Sequence, residues 1–272
     1  MAVASTSIPE SGIGAFLRAR RAAIRPEQVG LPVYGRRRVP GLRREELAQL
    51  AGVSPDYYMR LEQGRGRNVS DAVLESVARV LGLDDVERRH LFNLARPAGA
   101  TRQTAQRIRP GMRTALDMMR QVPAFVVGRR LDVLAWNPLA AAVNGFTGPV
   151  NLVRYTFLEP AARTFYRDWA AVAAETVAYL QLDNGRHPGD PLLAALVDEL
   201  SAASPEFAEL WAQRRVAEKR FGAKLLRHPV AGELDLAFET LTLPGEPDQL
   251  LVLYTAPPGS PAADRLRQLE RS

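Results

Sequence analysis

Asp56, Tyr57 and Arg60 fall within about one helical turn of each other, inside the segment Pro55 to Gln63. An arginine so placed offers a planar fork of donors that pairs bidentately with the O6 and N7 of guanine, and an aromatic ring can contact the methyl of thymine. Arg36, Arg37, Arg38, Arg43, Arg44, Arg65 and Arg67 flank the segment, and Ser54 precedes it. Guanidinium and hydroxyl groups in such positions suit phosphate oxygens, which set affinity and register without reading sequence. These residue types offer recognition of a polyanion with readable edges, rather than bond making.

Such groups work only if a scaffold aims them. Arg43 to Ala51 has the pattern of a short helix, Gly52 suits a tight turn, and Ser54-Pro55 starts a second helix with serine as N-cap and proline in the first turn. Ala48 is the small residue at the crossing, and Leu47, Ala51, Val53, Tyr58 and Leu61 lock the pair, which is the frame of a helix-turn-helix. The locking set leaves Asp56, Tyr57 and Arg60 on the opposite face, where a recognition helix meets base edges. Ile13, Phe16, Leu17 and Ile24 predict an earlier helix over residues 11–24, with Arg18, Arg20, Arg21 and Arg25 turned to solvent. Ser70 and Asp84 open two further helices, ending near Gly82 and Ala95. Residues 1–96 therefore read as an all-α, five-helix domain.

Charge follows the same division. The chain of 272 residues carries a net +6, and its first hundred residues hold 16 arginines against 11 acids, or +5. Lys219 and Lys224 are the only lysines. Cysteine is absent, which excludes disulfide scaffolds and thiolate chemistry. No apolar run approaches the roughly 18 residues that a membrane helix needs, and no apolar leader is visible, so a cytoplasmic protein without a membrane partner is expected.

Residues 97–109 read as a linker, and residues 110–272 as a second domain of mixed periodicity. Ala124 to Gly128 and Leu131 to Trp136 predict a hairpin, and Asn137-Pro138 caps a helix after it. The middle, from about Leu152 to Phe221, reads as helical. Leu234, Leu236 and Phe238 then alternate, while Leu241 and Leu243 continue on the other parity, which predicts a bulge near Glu239. Gln249 to Thr255 reads as a central strand buried on both faces. Two strands, helices and three strands give an α+β domain. Trp136, Phe157, Phe165, Trp169 and Trp211 are candidates for lining an apolar pocket, although each taken alone reads more readily as core.

Catalytic signatures are missing from the sequence: no P-loop, dinucleotide fingerprint, His-Glu-x-x-His or nucleophile elbow. His90, His187 and His228 are isolated, and His90 and His228 read as structural or surface residues. Asp168, Glu175, Asp198 and Glu199 read as solvated helix faces. No catalytic residue, metal or cofactor is expected.

The run from Val39 through Pro40-Gly41-Leu42-Arg43-Arg44-Glu45-Glu46-Leu47-Ala48, then Ala51-Gly52-Val53-Ser54, Tyr57-Tyr58 and Leu61-Glu62-Gln63-Gly64-Arg65, resembles the Xre-type regulators of the MmyB-like group. Arg43 and Arg44 depart from the Gln or Thr that many Xre-type proteins carry at the start of the first helix of the unit. The resemblance implies a lambda-repressor-like domain that binds operator DNA, followed by a PAS-like ligand-binding domain for a small hydrophobic, fatty-acid-like effector. A two-fold operator further implies a homodimer. Two other readings stand beside it: a second domain that only dimerises or binds protein, and a second domain with an activity of its own.

Overall fold

The computed structural model describes residues 12–32, 39, 41–65, 69–96 and 106–271. Two compact units result. One comprises Met1–Thr101 with Asn184–Asp190 and Glu209–Ala217, and the other Arg102–Asp183, Pro191–Ala208 and Glu218–Ser272.

The first unit contains α1 (Gly12–Ala23), α2 (Arg44–Ala51), α3 (Pro55–Glu62), α4 (Asp71–Val80) and α5 (Asp85–Ala95), the expected five helices. Their starts are fixed by short polar side chains. Ser54 Oγ accepts the Tyr57 N–H at 3.1 Å, and the Asp84 carboxylate accepts those of Val86 and Glu87 at 2.9 and 2.8 Å. Each cap of this kind stabilises by about 1 kcal/mol. Gly52 ends α2 in the left-handed region at φ 70°, and Val53 N–H then donates to the Ala48 carbonyl at 3.0 Å. Phe16, Leu17, Leu47, Ala48, Tyr58, Leu61, Leu74, Val77 and Leu91 form the core.

Two arginines that the sequence reading leaves in solvent are structural. Arg20 pairs with Glu87 at 2.7 Å. Arg21 donates through Nε and Nη2 to both oxygens of Glu62 at 3.1 Å, and through Nη1 to the Leu42 carbonyl at 2.7 Å. Arg44 Nε reaches Glu62 Oε1 at 3.0 Å. Glu62 is 1% exposed. Burial by itself would raise its pKa, but the bonds from Arg21 and then Arg44 hold the carboxyl below its ordinary range. Amphipathic spacing alone could not reveal this pairing, because the partners lie 41 residues apart.

The remaining elements, in chain order, are α6 (Pro110–Met118), β1 (Ala124–Val127), β2 (Asp132–Trp136), α7 (Pro138–Asn144), β3 (Val150–Asn151), α8 (Leu152–Leu158), α9 (Pro160–Phe165), α10 (Trp169–Arg186), α11 (Pro191–Ala203), α12 (Pro205–Ala212), β4 (Phe221–His228), β5 (Gly232–Leu243), β6 (Glu246–Thr255) and α13 (Pro261–Glu270). The strands make one antiparallel sheet in the order β3-β2-β1-β6-β5-β4. The architecture of the second unit is α+β, as the sequence reading expects, with β6 in the interior. The hairpin of β1 and β2 and the cap on α7 also fall where the pattern puts them. Asn137 does more than cap: its Oδ1 accepts the N–H groups of Ala140 at 2.8 Å and Ala124 at 3.1 Å, and its Nδ2 donates to the Val122 carbonyl at 2.7 Å.

Two expectations are corrected. The helical middle stops at Ala212, and β4 occupies Phe221 to His228. Its inward positions are Lys224, Leu226 and His228, so two polar residues interrupt the apolar alternation by which strands are recognised. The bulge lies between Thr242 and Leu243, not at Glu239, which pairs regularly with Leu253. Leu241 is 51% exposed on a regular strand, and the change of parity reflects a change in which face is covered. Leu243 packs with Leu116 of α6, Ala124, Val126, Ala135 and Leu251 on one face. Leu234, Leu236 and Phe238 are buried on the other.

Arg21→Met would leave the buried Glu62 carboxylate with one partner, and a loss of about 3 kcal/mol or more in urea unfolding is expected. Because the carboxyl is depressed in the folded state, its stabilising contribution is complete above the unfolded value near pH 4.5 and is lost as pH falls through the folded value. Glu62→Gln should remove that acid-side slope from the stability curve. A Cβ on Gly41 would stand 2.4 Å from the Arg21 carbonyl oxygen and 2.6 Å from Ala22 Cα. Gly41→Ala should therefore lower the thermal midpoint, at a cost of roughly 1 to 3 kcal/mol; an unchanged midpoint would show that the approach of these two backbones is dispensable.

Candidate functional site

The outward face of α3 carries Asp56, Met59 and Arg60, all exposed, with Tyr57 half-buried beside them. Its inward face carries Tyr58, Leu61 and Glu62, all buried. The helix is thus held by one face, and the side chains able to read base edges project from the other. Arg60 forms no ion pair among the described residues, and its Nε lies 3.4 Å from the Asp56 carbonyl. Met59, 37% exposed, was missed by a search for polar readers. An apolar side chain three residues after Asp56, on the same helix face, was its signal.

The flanking cations differ in what they have left to offer. Arg43 is exposed at the start of α2, where its backbone N–H donates to Glu46 Oε2 at 2.7 Å. Arg65 is exposed just beyond α3. Arg44 is engaged with Glu62, so part of the charge that the sequence reading assigns to phosphate is neutralised within the fold. Ser54 Oγ is the cap acceptor of α3 and remains at the surface. Arg36, Arg37, Arg38 and Arg67 lie outside the described residues, as does most of the expected linker.

In the second unit a cavity lies between the sheet and the helices α8 and α10. Phe125, Phe238, Val252 and Tyr254 line it from the sheet, Thr156, Val172 and Thr176 from the helices, and Tyr166, Lys219 and Lys224 complete it. The space wide enough for a water molecule is only about 20 Å³. Lys224 Nζ lies 5.0 Å from the Tyr166 ring and 5.7 Å from the Phe238 ring. Burial, then the charge of Lys219, pushes the Lys224 amine down to about 7, and burial also lowers that of Lys219. Burial pushes the hydroxyls of Tyr166 and Tyr254 up, which keeps them as protonated donors.

None of the five aromatics expected to line a pocket borders this cavity. Phe157 stacks edge-on against Trp169 and Phe207, Phe165 against Tyr155 and Tyr166, and Trp136 against Phe146. Trp169 donates to the Thr156 carbonyl at 2.8 Å. Trp211 belongs to the other unit. Large aromatics dominate packing wherever a core forms, so size was a poor guide to the cavity. The informative residues were the two lysines of an otherwise arginine-rich chain.

The remaining titratable groups have structural settings. His228 Nε2 meets the Ala142 carbonyl at 3.0 Å while Nδ1 accepts from Val230 and Ala231. His90 is 3% exposed, and burial followed by the charge of Arg20 pushes it down to about 4, so it is neutral at physiological pH. Among the described residues no group of His, Cys, Asp and Glu is arranged to hold a metal, and no helix is long and apolar enough to cross a membrane.

Comparison with known protein families gives two matches. A helix-turn-helix domain model matches residues 13–91, and a model described as the MmyB-like transcription regulator ligand binding domain matches residues 108–269. No curated protein matches the chain. The first match covers α1 through most of α5, and the second covers the sheet, the cavity and their helices, which is more than half of the chain. The chain therefore belongs to the MmyB-like transcription regulators: a helix-turn-helix DNA-binding domain joined to a ligand-binding domain.

Proposed function

We propose that the protein is a homodimeric, one-component regulator whose operator binding is modulated by a small hydrophobic, fatty-acid-like effector. Each protomer lays α3 in a major groove, with Asp56, Tyr57 and Arg60 toward base edges. Arg43, Arg65, Ser54 and the arginines 36–38 and 67 serve the phosphates, and Arg44 contributes what its bond to Glu62 leaves free. The observation that carries this reading is the division of α3 into a buried locking face and an exposed face bearing Arg60. Two-fold operators match two such helices about 34 Å apart. An effector can switch this arrangement only by binding its two forms with different affinity.

One observation favours a second reading, in which the C-terminal unit serves dimerisation and binds no ligand. The cavity between its sheet and the helices α8 and α10 is close to fully packed, at about 20 Å³. Mass spectrometry of an organic extract of the purified chain separates the two: a stoichiometric amphiphile supports the sensor, and an empty extract combined with no ligand-dependent change in operator affinity supports the dimerisation module.

Arg60→Ala should cost about 1 to 3 kcal/mol on the operator and flatten sequence preference at one position. Unchanged affinity and preference in a binding-site selection would remove α3 from the reading role. Arg43→Ala and Arg65→Ala should instead weaken specific and non-specific DNA alike, each reducing the salt slope by about 1. A loss confined to specific DNA would place these side chains on bases.

A further inference from the structure

A second, larger cavity of the C-terminal unit lies where the end of α6, the start of α7 and the end of α13 meet. It holds about 530 Å³ and shares no lining residue with the cavity between the sheet and the helices α8 and α10. Small-molecule sites commonly measure about 300 to 1,000 Å³. Pro138, Leu139, Ala142 and Leu269 give it an apolar floor, of which the two leucines are buried. Asp117, Arg120 and Glu270 stand exposed around that floor.

The walls are tied together by groups other than these three charges. Buried Asn137 donates through Nδ2 to the carbonyls of Met119 and Val122, on either side of Arg120, and its Oδ1 starts α7 at Ala140. One amide thus fixes the turn that carries Arg120 against the helix that floors the cavity. On the third side α13 is capped by Ser260 and turns Ala262, Leu266 and Leu269 inward. A cavity held open in this way loses little entropy when a ligand enters.

Its charges are uncommitted. Among the described residues Asp117, Arg120 and Glu270 take part in no ion pair and no side-chain hydrogen bond. Asp117 and Arg120 are three residues apart, but the chain leaves the helix at Met119, with ψ 67°, which takes Arg120 out of helical register with Asp117. One cation and two carboxylates around an apolar floor restrict what fits. A simple anion drawn to Arg120 meets the repulsion of Asp117 and Glu270, and a simple cation meets that of Arg120. A neutral apolar molecule shields all three from water and pairs with none. A molecule with a carboxylate, an ammonium and an apolar body satisfies every group.

We infer that this cavity binds a free amino acid with an apolar side chain. Its carboxylate pairs with Arg120, its ammonium with Asp117 and Glu270, and its side chain lies on Pro138, Leu139, Ala142 and Leu269. The site is separate from the effector cavity and stands whether or not that cavity is filled.

Calorimetric titration of the full chain with L-leucine, L-phenylalanine and L-tryptophan tests this. The best of them should bind about tenfold or more tightly than its N-acetyl derivative, which lacks the ammonium, and than its amide, which lacks the carboxylate. Glycine, which lacks the apolar body, should bind more weakly than all three. In Arg120→Gln the free acid should lose its advantage over the amide. In Asp117→Asn and in Glu270→Gln it should lose its advantage over the N-acetyl derivative. All three side chains are exposed, so the variants are expected to fold, which an unchanged thermal midpoint checks. Binding of no amino acid at millimolar concentration, a derivative that binds as tightly as the free amino acid, or affinities unaltered in all three variants overturns the inference. None of these outcomes touches the effector reading, because every variant leaves the residues around Lys219 and Lys224 in place.

Discussion

The carboxylate of Glu62 is the constraint on which the DNA-reading part of the molecule depends. Three segments meet there: α1 through Arg21, the start of α2 through Arg44, and the end of α3 through Glu62 itself. Arg21 also holds the Leu42 carbonyl, and Gly41 lets that strand of backbone rest on the last turn of α1. A buried carboxylate is costly unless nearly all of its lone pairs are satisfied, so the cluster tolerates few alternative arrangements. Apolar contacts such as Leu47 against Leu61 attract the helices but allow some sliding. A forked bond to both oxygens of one carboxylate fixes their register, and with it the direction in which Arg60 points.

In the second unit, the sheet is buried on different faces at its two ends. β1 and β6 are interior and have consecutive apolar residues facing both ways, Val126 with Leu251 on the α6 side and Phe125 with Val252 on the other. β4 is an edge strand with one inward face, and its outer edge is partly closed by the bonds that Tyr166 and Arg167 make to Leu226 and Leu225. Such cover protects an otherwise unpaired edge. The cavity lies toward this singly covered end, where packing is supplied by the helices α8 and α10 and not by a second sheet layer.

What the sequence disclosed followed from short-range physics. Ser54, Ser70, Asp84 and Asn137 announce helix starts because the hydroxyl or carbonyl that caps a helix bonds two or three residues away. Gly52 announces a turn for the same reason. The features that stayed hidden depend on partners distant in sequence. Arg20 and Arg21 look like solvated arginines until Glu87 and Glu62 are brought to them by the fold. β4 was masked because Lys224 and His228 occupy inward positions, and the very residue that disguised the strand is the one that marks the cavity. The face switch along β5 was misread as a bulge, since a change of parity looks the same whether the chain shifts or the cover does.

A lysine pair inside a nearly closed cavity also bears on how a ligand could control anything. Were the space large and preformed, an effector would fill it with little effect on the walls, and its binding energy would appear as affinity alone. A ligand entering a cavity of about 20 Å³ would have to displace wall residues such as Thr156 and Val172. Part of the interaction energy is then spent on opening, affinity falls accordingly, and the opened and closed forms differ in how well they hold the ligand. That difference is the quantity a regulator needs. Two amines lacking a counter-charge and little free space are features that such an opening would relieve.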